Sequence, residues 1–217
     1  MRSVRVAELD DAGLARAVID GHPEAPAAVW QRYAGLVTGL LRRSLGPGAD
    51  VEDQVQETFV QFFRDVKKLR DLAVLRSFLI GIATRVARSA LRRRRFRKWL
   101  LLSDSGVLPD APGAGADADA REAVRRLYAL LDRLEDGTRV LFVLRHIEGL
   151  ELTETAAAMG VSLATAKRNL AKATAHVHLL AARDPLLAAY LTPVIEGPGS
   201  GARPATAHQV AEEVRDV

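Results

Sequence analysis

A chain of 217 residues without a single cysteine excludes disulfides, thiolate zinc sites and thiol redox chemistry within itself. Hydrophobic residues make up 48% and supply a core, but aromatics at 5% leave that core to Leu, Val, Ile and Ala, a mixture that favours helix packing over sheet. The net charge of +4 is modest, so what matters for binding is where the cations gather.

The opening MRSVRVAELDD meets acid before any apolar run and does not read as a signal peptide. The longest apolar stretches, such as Phe78 to Ala83, are far short of a membrane span, which excludes membrane insertion and points to the cytoplasm. Residues 1–21 form an N-terminal segment. Pro26 to Leu45 reads as an amphipathic helix, with Val29, Tyr33, Leu36, Val37, Leu40, Leu41 and Leu45 at helical spacing. Gly46-Pro47-Gly48 stops it. A second helix runs from about Asp50 to Lys68 on an apolar face of Val51, Val55, Phe59, Phe62 and Val66, and its acidic start suits a helix N-terminus. A third runs from about Val74 to Trp99, with Leu75, Leu79, Ile82, Val86 and Ala90 inward.

Residues 101–120 then lose periodicity in a Gly-, Pro-, Ala- and Asp-rich run that reads as a flexible acidic linker. Helical patterning resumes at Arg121–Glu135 and Gly137–Glu148, with Gly149 as a cap. Two further helices, about Leu152–Met159 and Leu163–Leu180, flank Gly160-Val161-Ser162. The expected fold is all-α: two small helical domains, 22–100 and 121–182, joined by a linker and followed by a mobile tail, 183–217, in which Val210 and Val214 allow a short terminal helix.

Charge changes sign along the first domain. Asp50, Glu52, Asp53 and Glu57 crowd the start of the second helix, whereas Leu72 to Ser103 holds nine basic residues and no acidic one. Arg85, Arg88, Arg92 and Arg95 step by three, four and three and make one stripe suited to a polyanion. In the second domain, Gly160 supplies a tight turn and Ser162 an N-cap, with small Ala156 and Ala157 where two helices cross. Thr165, Lys167, Arg168, Asn169 and Lys172 are left outside on the helix that follows, the residue types that read base edges and hold phosphates. This is a helix-turn-helix.

The run Asp50-Val-Glu-Asp-Gln-Val-Gln-Glu-Thr-Phe59 resembles the helix by which bacterial sigma factors dock on RNA polymerase. Trp30-Gln-Arg-Tyr33 with Leu40-Leu-Arg-Arg43, Arg76 to Ala83 with Leu91 to Arg95, and Leu144 to Leu150 with Gly160-Val-Ser162 and Thr165-Ala-Lys167 fall in the matching order. Over about residues 22–182 the chain is similar to the extracytoplasmic-function group of the sigma-70 family, with a region 2-like and a region 4-like domain. The resemblance implies a transcription initiation factor, not an enzyme, with no cofactor. It implies that Asp53, Gln56 and Glu57 contact core polymerase. It places Lys67, Lys68 and Arg70 beside a base flipped from the melted non-template strand. Arg85, Arg88, Arg92 and Arg95 would hold the promoter near the minus-ten element, and Thr165, Lys167, Arg168, Asn169 and Lys172 would enter the minus-thirty-five major groove. The partners implied are core polymerase, double-stranded and melted promoter DNA and an anti-sigma factor, with the chain a monomer on polymerase.

The family favours Trp, Tyr and Arg where this chain has Phe78, Ile80 and Gly81, Asn at Arg85, an apolar residue at Gln54 and Ile at Thr155. These departures leave open a sigma-like adaptor without promoter melting, beside a stand-alone helix-turn-helix regulator. His176 and His178, two apart on a helix, point to different sides and make a poor metal pair, and His146 reads as structural.

Overall fold

The computed structural model describes residues 6–46, 49–100 and 118–188. The described residues form helices and turns throughout: α1 (Asp11–Ile19), α2 (Ala25–Leu45), α3 (Val51–Asp65), α4 (Leu75–Leu100), α5 (Ala118–Leu131), α6 (Asp136–Phe142), α7 (Leu152–Met159) and α8 (Leu163–Ala181), all but α1 where the periodicity predicts a helix. The expected linker lies outside the described residues except for its last three positions, which already belong to α5. The part of the expected tail from 189 onward, with Val210 and Val214, lies outside them too.

In the N-terminal bundle the predicted faces turn inward. Val29, Tyr33, Val37, Leu40, Leu41 and Leu45 of α2 meet Val55, Phe59 and Phe62 of α3 and Leu75, Leu79, Ile82 and Val86 of α4 in one buried cluster. The segment before α2 carries a helix that its weak periodicity did not announce. Asp10 caps α1 by accepting from the Gly13 amide at 2.7 Å, and Leu14 and Ala15 are fully buried. Asp11 ties α1 to α2 by accepting from the Tyr33 hydroxyl at 2.5 Å and from Arg32 at 3.2 Å.

The C-terminal unit has its own smaller core of Val124, Leu127, Tyr128 and Leu131 with Phe142, Val143 and Val177. Residues 183–188, the start of the expected tail, pack on it: Leu187 is buried, and Asp184 accepts from the Leu186 amide and pairs with Arg126. Helix α6 opens on polar residues, but from Val140 to Leu144, into the turn that follows it, the chain is apolar on every side. Val140, Leu141 and Leu144 join the N-terminal cluster while Phe142, Val143 and Ile147 serve the C-terminal one. It ends in a π-helical turn, Val143–Ile147. The two units read from the sequence are therefore in direct contact, and α6 is the plank between them.

Candidate nucleic-acid interface

Helix α3 carries the acidic face. Asp53, Gln56 and Glu57 are all exposed, with Gln61 donating to Glu57 at 2.6 Å. Beside them lies an apolar cleft between α2 and α3 lined by Trp30, Val51, Val55, Phe59, Val60 and Phe63. Trp30 stacks 4.7 Å from Phe59 yet stays 47% exposed, and Val60 is 54% exposed. In the sequence Trp30 stands only as part of a helix. The signal for the cleft is Val60, an apolar residue on the outward face of an otherwise charged helix.

The cations are less uniform than their spacing suggests. Lys67 and Lys68 occupy a short 3-10 turn, exposed, with Lys68 paired to Asp65 at 2.6 Å, and Arg70 is exposed in the loop that follows. On α4, Arg85 and Arg92 point to solvent. Arg88 is half-buried, and Arg95 pairs with Asp136 at 2.9 Å while donating to the Leu134 carbonyl at 2.7 Å. Arg93 reaches back to the Gln54 side chain at 3.2 Å, so the acidic and basic helices meet along a polar groove. Phe78 is half-buried, 6.3 Å from Phe62, and Ile80 and Gly81 are buried.

The helix-turn-helix stands as expected. Glu151 and Glu154 close a capping box on α7. Gly160 takes φ of 65° at the turn, and the Ser162 hydroxyl accepts from the Thr165 amide at 3.2 Å to start α8. Ala166, Ala173 and Val177 are buried. Lys167, Arg168 and Lys172 are exposed, Thr165 and Asn169 half-buried on the same first turns. Of the two small residues expected at the crossing only Ala156 is inside. Ala157 is exposed, and Ala158 takes the buried place. Thr155 is fully buried with its hydroxyl unpartnered.

The family model for sigma-70 region 2 matches residues 29–97, and the model for sigma-70 region 4 matches residues 124–177. The ferric citrate uptake sigma factor FecI of Escherichia coli is 31% identical over 153 residues, covering 69% of this chain and 86% of FecI. The RNA polymerase sigma factor CnrH of Cupriavidus metallidurans is 29% identical over 180 residues, covering 79% of this chain and 94% of CnrH. The chain belongs to the extracytoplasmic-function group of the sigma-70 family. It is a non-enzymatic factor of promoter recognition and transcription initiation that works with core RNA polymerase. In fold it is similar to CnrH as seen in complex with the cytosolic domain of CnrY, with a TM-score of 0.59 at 24% identity over 80% of this chain and 98% of that one.

Within this sigma factor the residues that join regions 2 and 4 were not legible as a site. Arg43 of α2 holds Glu148 with two bonds, Nε to Oε1 at 2.5 Å and Nη2 to Oε2 at 2.8 Å, and the two side chains are only 10% and 7% exposed. Arg139 of α6 is 2% exposed and enters the C-terminal end of α2, donating from Nε to the Ser44 carbonyl at 2.7 Å and from Nη2 to the Leu45 carbonyl at 2.9 Å. These are carbonyls that a helix end leaves without partners, so region 4 caps a region 2 helix. Arg139 also pairs with Asp132 and lies 5.8 Å from the Tyr128 ring centre. Burial pulls its pKa down against the pull of Asp132, and burial pushes the Tyr128 phenol up to about 12. At the head of α6, burial raises the Glu135 pKa, but its bonds from Thr138 and the Gly137 amide, with the charge of Arg88, outweigh that and hold the carboxyl below its ordinary value.

Proposed function

We propose that this sigma factor divides its work between two faces of region 2 and one of region 4. The acidic face of α3, with Asp53, Gln56 and Glu57, docks on core polymerase together with the apolar cleft beside Trp30. The pairing of exposed carboxylates with exposed apolar side chains supports a protein partner there and is unsuited to DNA. Arg85, Arg88, Arg92 and Arg95 hold the backbone near the melted minus-ten element, with Lys67, Lys68 and Arg70 at the flipped base. Thr165, Lys167, Arg168, Asn169 and Lys172 read the minus-thirty-five element. The observation that carries this reading is the sequestering of opposite charge on adjacent helices, acid outward on α3 and base outward on α4 and α8. The factor acts in the cytoplasm. No described helix is long and apolar enough to cross a membrane. The solved complex of its relative CnrH with the cytosolic domain of CnrY supports an anti-sigma partner for this chain as well.

Two substitutions test the division. Glu57→Lys abolishes co-purification with core polymerase and leaves binding of the full chain to minus-thirty-five DNA unchanged. Arg168→Ala and Asn169→Ala each cost about 1–3 kcal/mol on the preferred promoter and change the ranking of promoters in a library. An equal loss on every promoter would make them phosphate contacts and remove the base-reading role.

A further inference from the structure

Residues 66–74 carry the side chains assigned to the flipped base, and the bonds inside this segment are short-range. It consists of two three-residue 3-10 turns, Val66–Lys68 and Leu72–Val74, joined by Leu69 to Asp71. The Leu69 amide donates to the Val66 carbonyl at 3.0 Å, and the Ala73 amide donates to the Asp71 side chain at 3.0 Å. Such bonds close each turn but do not fix one turn against the other. Burial does that, and it alternates along the segment. Val66 is buried and Leu69 and Leu72 pack on the region 2 core, whereas Lys67, Lys68 and Arg70 between them stay exposed. Helix α1 lies against both turns. Its Leu14 and Ala15 are fully buried, its Ala17, Val18 and Ile19 half-buried, and all five belong to the same apolar cluster as Val66, Leu69 and Leu72. Polar bonds hold α1 and the residues before it on α2. Arg32 donates to the Ala7 and Leu9 carbonyls at 2.9 and 2.6 Å, and Asp11 accepts from the Tyr33 hydroxyl. Burial and the neighbouring Asp11 carboxylate keep the Tyr33 phenol far above its ordinary pKa, so it stays a donor. The region 2 family match begins at residue 29, after α1.

From this we propose that α1 is a splint for base readout: held on α2 by Asp11, Arg32 and Tyr33, it backs the two turns and sets the position from which Lys67, Lys68 and Arg70 meet the flipped base. This rests on the assignment of those three cations to that base. Leu14 and Asp11 are then positioning residues, acting on DNA only through the segment they support. The physical gain is preorganisation. A segment that had to order itself at the moment of binding would lose affinity. A segment held in the wrong place loses discrimination between bases first, because base contacts are directional, whereas attraction to phosphates tolerates displacement.

Binding of the full chain, in complex with core polymerase, to a pre-melted minus-ten fragment tests the splint. Each of the four bases stands in turn at the flipped position, and the readout is the ratio of affinities for the preferred base and the others. Leu14→Ala opens a cavity in the α1 packing. Asp11→Ala unties α1 from Tyr33 and Arg32 without opening one. Each lowers the ratio about tenfold, the discrimination that one base contact carries. Leu14→Met, which keeps the volume, restores it. Leu41→Ala makes an equal cut at a fully buried position about two turns further along α2 and leaves the ratio unchanged. Circular dichroism confirms folding, and if Leu14→Ala does not fold, Asp11→Ala decides. With Lys67→Ala and Arg70→Ala lowering the ratio, three results overturn the proposal: an unchanged ratio in the folded α1 variants, an equal loss of affinity for all four bases, or a ratio lowered as much by Leu41→Ala. If Lys67→Ala and Arg70→Ala leave the ratio unchanged, the assignment of the segment to the flipped base fails, and the proposal with it.

Discussion

Gly46 and Gly81 both sit on the seam between regions 2 and 4, and the surroundings give them opposite tolerances. Gly46 ends α2 at φ 79° and ψ −179°, backbone that side chains other than hydrogen rarely adopt. A Cβ there would stand 2.8 Å from the Tyr128 ring and 3.1 Å from the Arg139 guanidinium. Gly46→Ala is expected to destabilise the full chain by about 2–3 kcal/mol, from backbone strain and overpacking together. Gly81 lies inside α4 with ordinary helical backbone, and a Cβ there would meet nothing closer than 3.8 Å. Gly81→Ala should stabilise by about 0.5–1 kcal/mol through helix propensity alone. Urea midpoints at unchanged slope read both signs. A loss of stability in Gly81→Ala would mean that α7 lies closer to α4 than its geometry indicates. The sequence comparison of position 81 with a family that favours Arg there suggested weakened melting. The structure supplies a local reason for the small residue: a long side chain at 81 would collide with the end of α7.

At the scale of elements, α6 explains both what periodicity revealed and what it could not. Helices α2, α3, α7 and α8 are legible because each has an apolar stripe on one side and a polar face on the other, with Gly46, Gly160 and Ser162 as punctuation. The run Val140-Leu141-Phe142-Val143-Leu144 has no stripe. Five consecutive apolar residues signal burial on all sides, but a sequence does not say by which partners. Helix α1 was missed for the opposite reason. It is nine residues long, it buries fully only Leu14 and Ala15, and its other ties run through Asp11 to Tyr33 and Arg32, polar contacts that leave no periodic trace. Glu135 starts α6 by accepting from the Gly137 and Thr138 amides at 3.3 Å. Its carboxyl is held below the ordinary value in the folded chain. A lowered folded pKa means that the contribution is complete above the unfolded carboxylate value and disappears as pH falls through the folded one. Glu135→Ala should therefore cost about 1 kcal/mol at neutral pH, the usual worth of an N-cap. Thermal unfolding of parent and variant at neutral and strongly acidic pH should show that gap closing in acid. A gap that persists in acid would assign the effect to packing rather than to the charged cap.

For the whole molecule, the seam decides whether this sigma factor unfolds as one body or two. A separate core for region 4 would ordinarily allow independent melting, but α6 contributes Val140, Leu141 and Leu144 to the region 2 core, and Arg139 caps α2 from across the boundary. Neither link could be read from the sequence. Nothing in the sequence marks Arg43 and Arg139 as buried, because burial of a guanidinium depends on partners 94 to 105 positions away in the chain. The chain offers a direct test, since both of its tryptophans, Trp30 and Trp99, belong to α2 and α4. Tryptophan fluorescence therefore follows region 2, whereas far-ultraviolet circular dichroism follows the helices of both regions. With the seam closed the two signals should fall together in urea, a single cooperative transition. Arg139→Ala removes the cap on α2 and takes a buried donor from the Ser44 and Leu45 carbonyls, a loss of about 1–3 kcal/mol. It should pull the two curves apart, with part of the dichroism lost before the fluorescence moves. Coincident curves in that variant would show that the remaining seam contacts, the apolar residues of α6 and α7 with the Arg43–Glu148 pair, couple the regions, and that Arg139 sets their register rather than their cooperativity.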